Sequence, residues 1–350
     1  MLRLPRRRVP KLTSRRAVRQ VTKLLKTSAK VAREAAEQGG EAVQRVGRAA
    51  LAARAQPTRR PPGRFIEVDG VRVHAIVRGR GRPVVLLHGN GTMAEDWAIS
   101  GLLDLLAARY RVIALDRPGF GHTERPRTRL WTASAQAHLV HGVLERLKAE
   151  RPVVVAHSWG TLVALALAVA GWRDLRGLVL LSGSYFPERR ADAALLAPLA
   201  VPVLGDAARR LVPHAVGQML APGVFRHVFQ PQAVPARFTA RFPADIAMSA
   251  EQLRASAEDT ATMATASALL APHYPHLAVP LALITGDADA IVDADAHSRR
   301  LHDTVPGSTL TVLPGQGHMI HYFARARIGR AVDALMAPPA RGGGRRAGAG

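Results

Sequence analysis

The chain has 350 residues and no cysteine, and its 49 lysine and arginine residues outnumber its 26 aspartate and glutamate residues by 23. This length is sufficient for one large domain, or two smaller ones, with a buried core. The lack of cysteine excludes a disulfide scaffold, a thiolate nucleophile and a zinc ion held by cysteine.

The excess positive charge is concentrated in the first 64 residues, which contain 18 basic and 3 acidic residues. We expect residues 1–62 to form a basic N-terminal arm that is partly helical or disordered and ends at a Pro- and Gly-rich stretch. A solvated tail and weak contact with an anionic membrane are the alternatives for this arm. Specific nucleic-acid binding is not expected, because aromatic residues do not alternate with the basic ones.

Neither a signal peptide nor a transmembrane segment is recognised in the chain. The first 25 residues contain no uninterrupted apolar stretch of the length that a signal peptide needs. The apolar residues 152–171 are better explained by a buried strand, a turn and a helix than by a membrane span. We therefore expect a cytoplasmic protein, with peripheral membrane contact as the alternative, and a flexible Gly/Arg-rich tail over residues 338–350.

From residue 65 onward, patterns typical of strands alternate with patterns typical of helices. A hairpin is predicted over residues 65–77, and the further strands over residues 84–87, 111–115, 153–155, 177–181, 281–284 and 309–313. Helices are predicted between them, over residues 95–108, 133–149, 159–170, 292–304 and 318–336. This succession predicts an α/β fold in which a mostly parallel sheet carries helices on both faces, with a core of residues 63–183 and 277–337.

One long segment, residues 184–276, interrupts this alternation. It is dense in Pro, Ala, Arg and Phe and contains helical stretches but no convincing strand. Long insertions at the carboxyl edge of a parallel sheet lie where ligands bind. We therefore expect a helical cap that helps to bind a small-molecule substrate, through residues that the sequence does not identify.

The sequence Ala156-His157-Ser158-Trp159-Gly160 follows a buried strand and leads into a helix. A serine used as a nucleophile must present its hydroxyl at such a sharp turn, where the usual pattern is G-x-S-x-G. Ala156 stands in place of the first glycine, and alanine is small enough to be compatible with the turn. Alone, this pattern is also compatible with a structural serine.

Two further strand ends carry groups that could act with Ser158. Asp287 and Asp289 follow the strand over residues 281–284, and His318 follows the strand over residues 309–313. Because the carboxyl ends of parallel strands lie at one edge of a sheet, these side chains are expected to converge there. The chain order of serine, aspartate and histidine is the order found in hydrolases of this architecture.

These motifs together resemble those of the α/β-hydrolase superfamily, in its cap-bearing group of esterase-like serine hydrolases. The resemblance covers residues 65–337 and rests on four segments in the expected order, which are His88-Gly89-Asn90-Gly91, Asp116-Arg117-Pro118-Gly119-Phe120-Gly121, the Ser158 turn, and the segments of Asp289 and His318. It implies a nucleophilic Ser158, a general base His318, an orienting Asp289 and an oxyanion hole built from the backbone N–H groups of Asn90 and Trp159. The family spacing favours Asp289 over Asp287, which remains the alternative acid.

The resemblance implies hydrolysis of a small or medium apolar carboxylic ester through an acyl-enzyme, without a cofactor or a metal. Hydrolysis of a C–C, amide or lactone bond and perhydrolysis use the same residues and remain alternatives. Dehalogenases and epoxide hydrolases of the superfamily form their intermediate on aspartate, so neither reaction is expected of Ser158. From a different class, a catalytically silent binding protein also remains an alternative.

A structural role is expected for His88. His138 and His141 are expected to lie at exposed positions of a helix and not to form a metal site.

Overall fold

The structure is a computed structural model that describes residues 61–172, 175–188 and 214–337. Nearly all of the predicted arm of residues 1–62 and the predicted tail of residues 338–350 lie outside this description, so the membrane contact proposed for the arm stays a prediction. The described chain contains an eight-stranded sheet. Its strands are β1 (Arg64–Val68), β2 (Val71–Arg78), β3 (Pro83–Leu87), β4 (Arg111–Leu115), β5 (Val153–His157), β6 (Gly177–Leu181), β7 (Leu281–Gly286) and β8 (Thr309–Leu313).

The strands lie in the order β1-β2-β4-β3-β5-β6-β7-β8. β1 and β2 form the predicted antiparallel hairpin, and β2 pairs with β4 in antiparallel orientation, while every pairing from β4 onward along the sheet is parallel. Strands such as Val153–His157 are buried along their whole length because helices cover both faces. The predicted α/β-hydrolase fold with a mostly parallel sheet is confirmed.

Ten α-helices are described, which are α1 (Ala94–Ser100), α2 (Leu102–Ala107), α3 (Ala133–Arg146), α4 (Gly160–Val169), α5 (His214–Phe229), α6 (Ala236–Arg241), α7 (Ala244–Ala247), α8 (Ala250–Leu270), α9 (Arg300–Thr304) and α10 (Arg325–Met336). Of these, α1 to α4, α9 and α10 follow strands of the sheet, and α5 to α8 follow one another between β6 and β7. Side chains of α3 and α4 share one core with Val85 and Leu87 of β3, whereas α1, α2 and α10 share the opposite core with Val84 and Leu86. The twofold alternation along β3 thus separates two hydrophobic layers.

Three predicted helices differ in detail from those observed. The helix predicted over residues 95–108 is divided at Gly101, whose φ of +78° ends α1 and starts α2. The helix predicted over residues 292–304 begins with a π-helical turn at Asp295–Arg299. The helix predicted over residues 318–336 is a 3-10 turn at Ile320–Tyr322 followed by α10, so His318 lies in a loop and not in a helix.

Helices α5 to α8 lie between β6 and β7 in the chain, and we call residues 214–276 the insert. Its longest helix, α8, has 21 residues and is capped at its N-terminus by Ser249, whose hydroxyl accepts a hydrogen bond from the Gln252 N–H. The phenylalanines of the insert pack on one another and on the loop that follows His318, at ring-centroid distances of 4.4–5.9 Å between Phe225, Phe229, Phe238, Phe242 and Tyr322. None of the helices that the structure describes is both long enough and apolar enough to cross a membrane.

Candidate active site

Ser158 lies in the sharp turn between β5 and α4, where its backbone adopts a left-handed conformation with φ of +51°. Its N–H donates to the carbonyl oxygen of Leu181, which fixes the turn against β6. Gly160 lies on the inner side of the turn, where a Cβ would be 2.5 Å from the carbonyl oxygen of His88 and 2.7 Å from that of Leu87. The turn therefore packs directly on the loop after β3 and leaves the Ser158 side chain at the carboxyl edge of the sheet.

Ala156, the departure from the usual pattern, lies inside β5 rather than in the turn. It is fully buried and pairs with Leu87 on one side and Leu180 on the other. No left-handed backbone is needed at this position, so a small side chain is accommodated there.

The hydroxyl of Ser158 and the side chains of His318 and Asp289 form a continuous hydrogen-bonded row. His318 Nε2 lies 2.9 Å from Ser158 Oγ, and His318 Nδ1 lies 2.8 Å from Asp289 Oδ2. The other carboxylate oxygen of Asp289 accepts the backbone N–H groups of Ile291 and Val292 at 2.8 and 3.0 Å. The three side chains, which come from three different strand ends, are thus brought together in the chain order that the sequence indicated.

The environment keeps the Asp289 carboxylate ionised. Burial on its own would raise the pKa of Asp289, but the charge and hydrogen bond of His318 and the two backbone donors outweigh it, so the pKa lies below its usual value. An ionised carboxylate accepts the Nδ1–H of His318 and leaves Nε2 as an acceptor that faces the serine hydroxyl.

Asp287 takes a different position. Its Oδ1 accepts the Gly315 N–H at 2.6 Å, and the neighbouring Ala288 N–H donates to the Gln316 carbonyl oxygen at 3.0 Å. Both bonds join the loop after β7 to the loop after β8. The structure therefore brings Asp289 to His318 and leaves Asp287 as a brace between the two loops.

The loop after β3 brings a backbone amide beside the serine. A Cβ on Gly89 would lie 3.0 Å from Ser158 Cβ and 2.9 Å from His157 Nδ1, so only glycine allows this approach. The next backbone N–H is that of Asn90, and the N–H of Trp159 starts the helix on the other side of Ser158. Among the described residues, neither of these two N–H groups has a hydrogen-bond acceptor, as an anion-binding pair requires.

His88 is buried, and both of its ring nitrogens form hydrogen bonds. Burial and the charge of Arg117 lower the pKa of His88 to about 3, so its ring is neutral. Its Nε2 accepts the backbone N–H of Arg117 at 2.9 Å, which leaves Nδ1 to donate to the carbonyl oxygen of Gly89 at 2.7 Å. The ring thereby joins the loop after β3 to the loop after β4.

His157, to which the sequence pattern gives no role, lies beneath the site. Its Nε2 lies 3.0 Å from the carbonyl oxygen of His318, and its ring is 4.7 Å from the rings of both His318 and His321. Burial, followed by the charges of His321 and His318, holds the pKa of His157 well below its usual value. A neutral ring with Nε2 as donor restrains the backbone of His318.

A buried polar contact between the core and the insert was also missed from the sequence. Arg117, in the loop after β4, donates to Asp259 of α8, and both side chains are inaccessible to solvent. Their separation of 142 residues carries no local pattern.

The described residues contain no group of three or more His, Asp or Glu side chains arranged to hold a metal ion. His138 lies 3.4 Å from Asp69, and His141 lies 3.7 Å from Glu145 with its ring stacked on Trp172 at 4.3 Å. His138 is exposed, as expected, whereas His141 is only partly exposed because its ring packs on Trp172.

Comparison with known proteins agrees with this architecture. Haloalkane dehalogenase 2 of Mycobacterium tuberculosis (strain ATCC 25618 / H37Rv) is 27% identical over 280 residues, which cover 77% of this chain and 93% of that protein. A putative non-heme chloroperoxidase of Synechocystis sp. (strain ATCC 27184 / PCC 6803 / Kazusa) is 29% identical over 260 residues, which cover 70% and 87%. The solved structure of an esterase from Exiguobacterium antarcticum is similar, with a TM-score of 0.62 and 20% identity over 79% of this chain and all of that one.

A model of a protein family also matches this chain. It matches residues 84–331, which contain the strands from β3 to β8, the serine turn, the aspartate and the histidine. Family membership supports an enzyme with hydrolase activity. The chain belongs to the alpha/beta hydrolase family.

Proposed function

We propose that the protein is a serine hydrolase that cleaves a small or medium apolar carboxylic ester through an acyl-enzyme on Ser158. The observation that carries the proposal is the row Ser158–His318–Asp289, with its two contacts of 2.9 and 2.8 Å at a left-handed turn. A serine hydroxyl is a weak nucleophile unless a base lies within hydrogen-bond distance and a third group orients that base. Both conditions are met here.

In this mechanism His318 Nε2 takes the proton of Ser158 as the hydroxyl oxygen attacks the acyl carbon. The tetrahedral intermediate collapses when His318 returns the proton to the leaving alkoxide, which departs as an alcohol and leaves an ester on Ser158. Water then attacks this ester with His318 again as base, and the acid is released. Asp289 holds Nδ1–H throughout and stabilises the positive charge on the ring.

The negative oxygen of each tetrahedral intermediate would be bound by the N–H groups of Asn90 and Trp159. Their lack of acceptors among the described residues leaves both donors available, and Gly89 lets the Asn90 peptide approach Ser158. Donors that are already oriented stabilise developing charge without reorganisation, and the loss of one such donor costs about 100- to 1000-fold in rate.

The preference for a carboxylic ester is supported by the nucleophile and by the insert. Ser158 stands where dehalogenases of the superfamily carry an aspartate, so the similarity to haloalkane dehalogenase 2 is not extended to dehalogenation. The insert helix α8 lies beside the Asn90 loop, with Thr260 Oγ1 accepting from the Asn90 side chain at 2.9 Å. We infer that the insert acts as the cap of the substrate site.

A fluorophosphonate probe tests the proposal, because only an activated serine reacts with it. The wild-type protein is expected to be labelled, and Ser158→Ala and His318→Ala are expected to remain unlabelled while retaining the wild-type circular dichroism spectrum. A wild-type protein that resists the probe under conditions that label a known serine hydrolase would favour a silent binding protein.

A panel of p-nitrophenyl and alkyl esters of graded chain length then identifies the reaction. We expect the highest kcat/KM for short to medium acyl chains. Preference for an amide, a lactone or a C–C substrate, or for hydrogen peroxide over water as acceptor, would assign one of the alternatives that use the same three residues.

A further inference from the structure

One turn of α8 forms hydrogen bonds with the side chains of both Asn90 and Trp159, the residues proposed to supply the oxyanion hole. The Trp159 indole N–H donates to the backbone oxygen of Asp259 at 2.9 Å. The Asn90 side-chain amide donates to Thr260 Oγ1 and to the backbone oxygen of Ser256 at 2.9 and 3.1 Å. Asn90 and Trp159, whose backbone N–H groups have no acceptor in the described part of the chain, are therefore both held through their side chains by the same helix of the insert.

The side chain of Asp259 reaches further, through Arg117. Arg117 Nη1 donates to Asp259 Oδ2 at 2.6 Å, while Nε donates to the His88 carbonyl oxygen at 2.9 Å and Nη2 to the Gly89 carbonyl oxygen at 3.0 Å. The planar guanidinium thus joins a carboxylate of the insert to two consecutive carbonyl groups of the core loop. Nη1 also donates to Gln136 Oε1 at 3.0 Å, and the rigid, planar guanidinium holds all four acceptors in one orientation.

The Gly89 carbonyl and the Asn90 N–H belong to the same peptide unit. Because a peptide unit is planar and trans, an acceptor contact that fixes the direction of its C=O also fixes the direction of its N–H. The Gly89 oxygen is held by Arg117 Nη2 and by His88 Nδ1 at 2.7 Å. Hydrogen bonds accepted by the carbonyl also polarise the amide and strengthen its N–H as a donor.

The Asp259 carboxylate is fully satisfied in this position. Its Oδ1 accepts from Arg125 Nη2 at 3.0 Å and from Gln136 Nε2 at 3.1 Å, in addition to the bond from Arg117. The burial of this carboxylate is therefore compensated, and it can hold Arg117 in one place.

We propose that Arg117, held by Asp259 of the insert, is a positioning residue that sets the Gly89–Asn90 peptide as an oxyanion donor. The oxyanion hole of the core is then complete only when α8 is docked on it. This inference rests on the proposed function, because it assigns a role in stabilising the intermediate formed on Ser158.

The test compares Arg117→Met with Arg125→Met. Both variants remove one buried arginine from Asp259 and leave the carboxylate two of its three donors, but Arg125 contacts the Pro118 carbonyl and not Gly89. Arg117→Met is expected to lower kcat by about 10- to 100-fold with little change in KM, less than the loss of a whole donor because His88 still holds the peptide. Arg125→Met is expected to lower the melting temperature and leave kcat within about threefold.

Binding of a trifluoromethyl ketone and of the matching methyl ketone distinguishes a loss of oxyanion stabilisation from a general disturbance of the substrate site. The first adds to the serine hydroxyl to give a tetrahedral oxyanion, and the second binds as a ground-state analogue. In Arg117→Met, we expect the affinity for the trifluoromethyl ketone to fall by the same factor as kcat/KM, with the affinity for the methyl ketone and the pH profile of kcat/KM unchanged. Asp259→Asn is expected to show the same pattern more weakly.

Arg117→Lys covers the case in which the methionine variant does not fold. The ammonium group keeps a charge beside Asp259 but is a single point with three donors, so it cannot reach all four acceptors of the planar guanidinium, and the loss of affinity for the trifluoromethyl ketone should persist. Wild-type affinity in Arg117→Lys, or equal losses of kcat in Arg117→Met and Arg125→Met, would overturn the inference. A wild-type protein inert to esters and to the fluorophosphonate would instead overturn the proposed function, and this inference with it.

Discussion

Asp289 Oδ2 and His318 Nδ1 lie 2.8 Å apart, although the two residues follow different strands. The strands β7 and β8 are neighbours, with Gly286 paired to Leu313, so their carboxyl ends start side by side. The Asp287 contact with Gly315 then joins the two loops just beyond the strands. The orientation of the histidine therefore depends on one aspartate for the hydrogen bond and on another for the position of the loop.

The two aspartates are predicted to differ sharply when each is changed to asparagine. Asp289→Asn presents an amide N–H to His318 Nδ1, which favours the tautomer with hydrogen on Nε2, and that nitrogen cannot then accept the serine proton. We expect kcat to fall by about 10⁴-fold with the fold retained. Asp287→Asn serves as the matched control and should lower the melting temperature with less than about a tenfold effect on kcat. A larger loss of kcat in Asp287→Asn would reverse the two assignments.

Gly89 is predicted to be intolerant of even one added methyl group. In Gly89→Ala the new Cβ would lie 2.9 Å from His157 Nδ1 and 3.0 Å from Ser158 Cβ, so the loop must move away from the serine. We expect kcat/KM for an ester to fall by about 100-fold, as for loss of an oxyanion donor.

Gly223→Ala is the matched control for this substitution. Gly223 lies in α5, where a Cβ would meet no atom within 4 Å, and alanine has the higher helix propensity. Its activity should equal that of the wild type, and its melting temperature should be unchanged or slightly higher. Equal activity of Gly89→Ala and the wild type would show that the loop does not approach the reacting group.

The parallel sheet could be predicted from the sequence because its strands are buried on both faces and appear as short, continuous apolar runs, as in residues 153–155. The order of the candidate catalytic residues could be predicted because each follows such a run directly. The spacing after β7 also favoured Asp289, and the hydrogen bond to His318 is made by that residue.

The features that were missed depend on contacts between distant segments. Arg117 and Asp259 are 142 residues apart, and nothing in either local pattern indicates that they meet. His157 was left without a role because its importance comes from the carbonyl of His318, and a backbone acceptor leaves no mark in a sequence. The division of α1 from α2 required knowledge that Gly101 adopts a left-handed conformation, and a glycine inside a helical pattern does not by itself reveal that.

The stability of the protein is predicted to depend on pH through the buried pair of His74 and Asp116. His74 Nδ1 lies 2.7 Å from the Asp116 carboxylate and Nε2 lies 2.7 Å from the Pro62 carbonyl oxygen, so both ring nitrogens face acceptors. Burial lowers the pKa of His74, but the hydrogen bond and charge of Asp116 outweigh it and the pKa is raised. The stabilisation of the fold by the His74 interaction is therefore fully present below about pH 6.5, and it is lost as the pH rises through the raised pKa of His74.

Asp116 responds in the opposite direction. Burial would raise its pKa, but His74 lowers it overall, so its contribution is present above about pH 4 and is lost as the pH falls through the lowered pKa. Urea unfolding of the wild type and His74→Gln should therefore differ most between about pH 4 and 6.5, by about 1–3 kcal/mol in the free energy of unfolding. The difference should shrink towards pH 9. His138→Gln, at a side chain 67% exposed, should match the wild type throughout, and a difference for His74→Gln that is constant with pH would rule out a charged His74.

The final prediction concerns the two small residues that flank Ser158 at a distance of two positions. Ala156→Gly restores the usual pattern, but Ala156 is a buried strand residue. The change therefore removes a buried methyl group and gives the unfolded chain more backbone freedom, which is lost on folding. We expect a loss of about 1–2 kcal/mol in the free energy of unfolding and a kcat within about twofold of the wild type.

Gly160→Ala places a Cβ 2.5 Å from the His88 carbonyl oxygen and should abolish labelling by the fluorophosphonate or prevent folding. Urea unfolding and ester kinetics on both variants check this asymmetry, and a kcat raised severalfold in Ala156→Gly would show that the methyl group at this position constrains the serine turn.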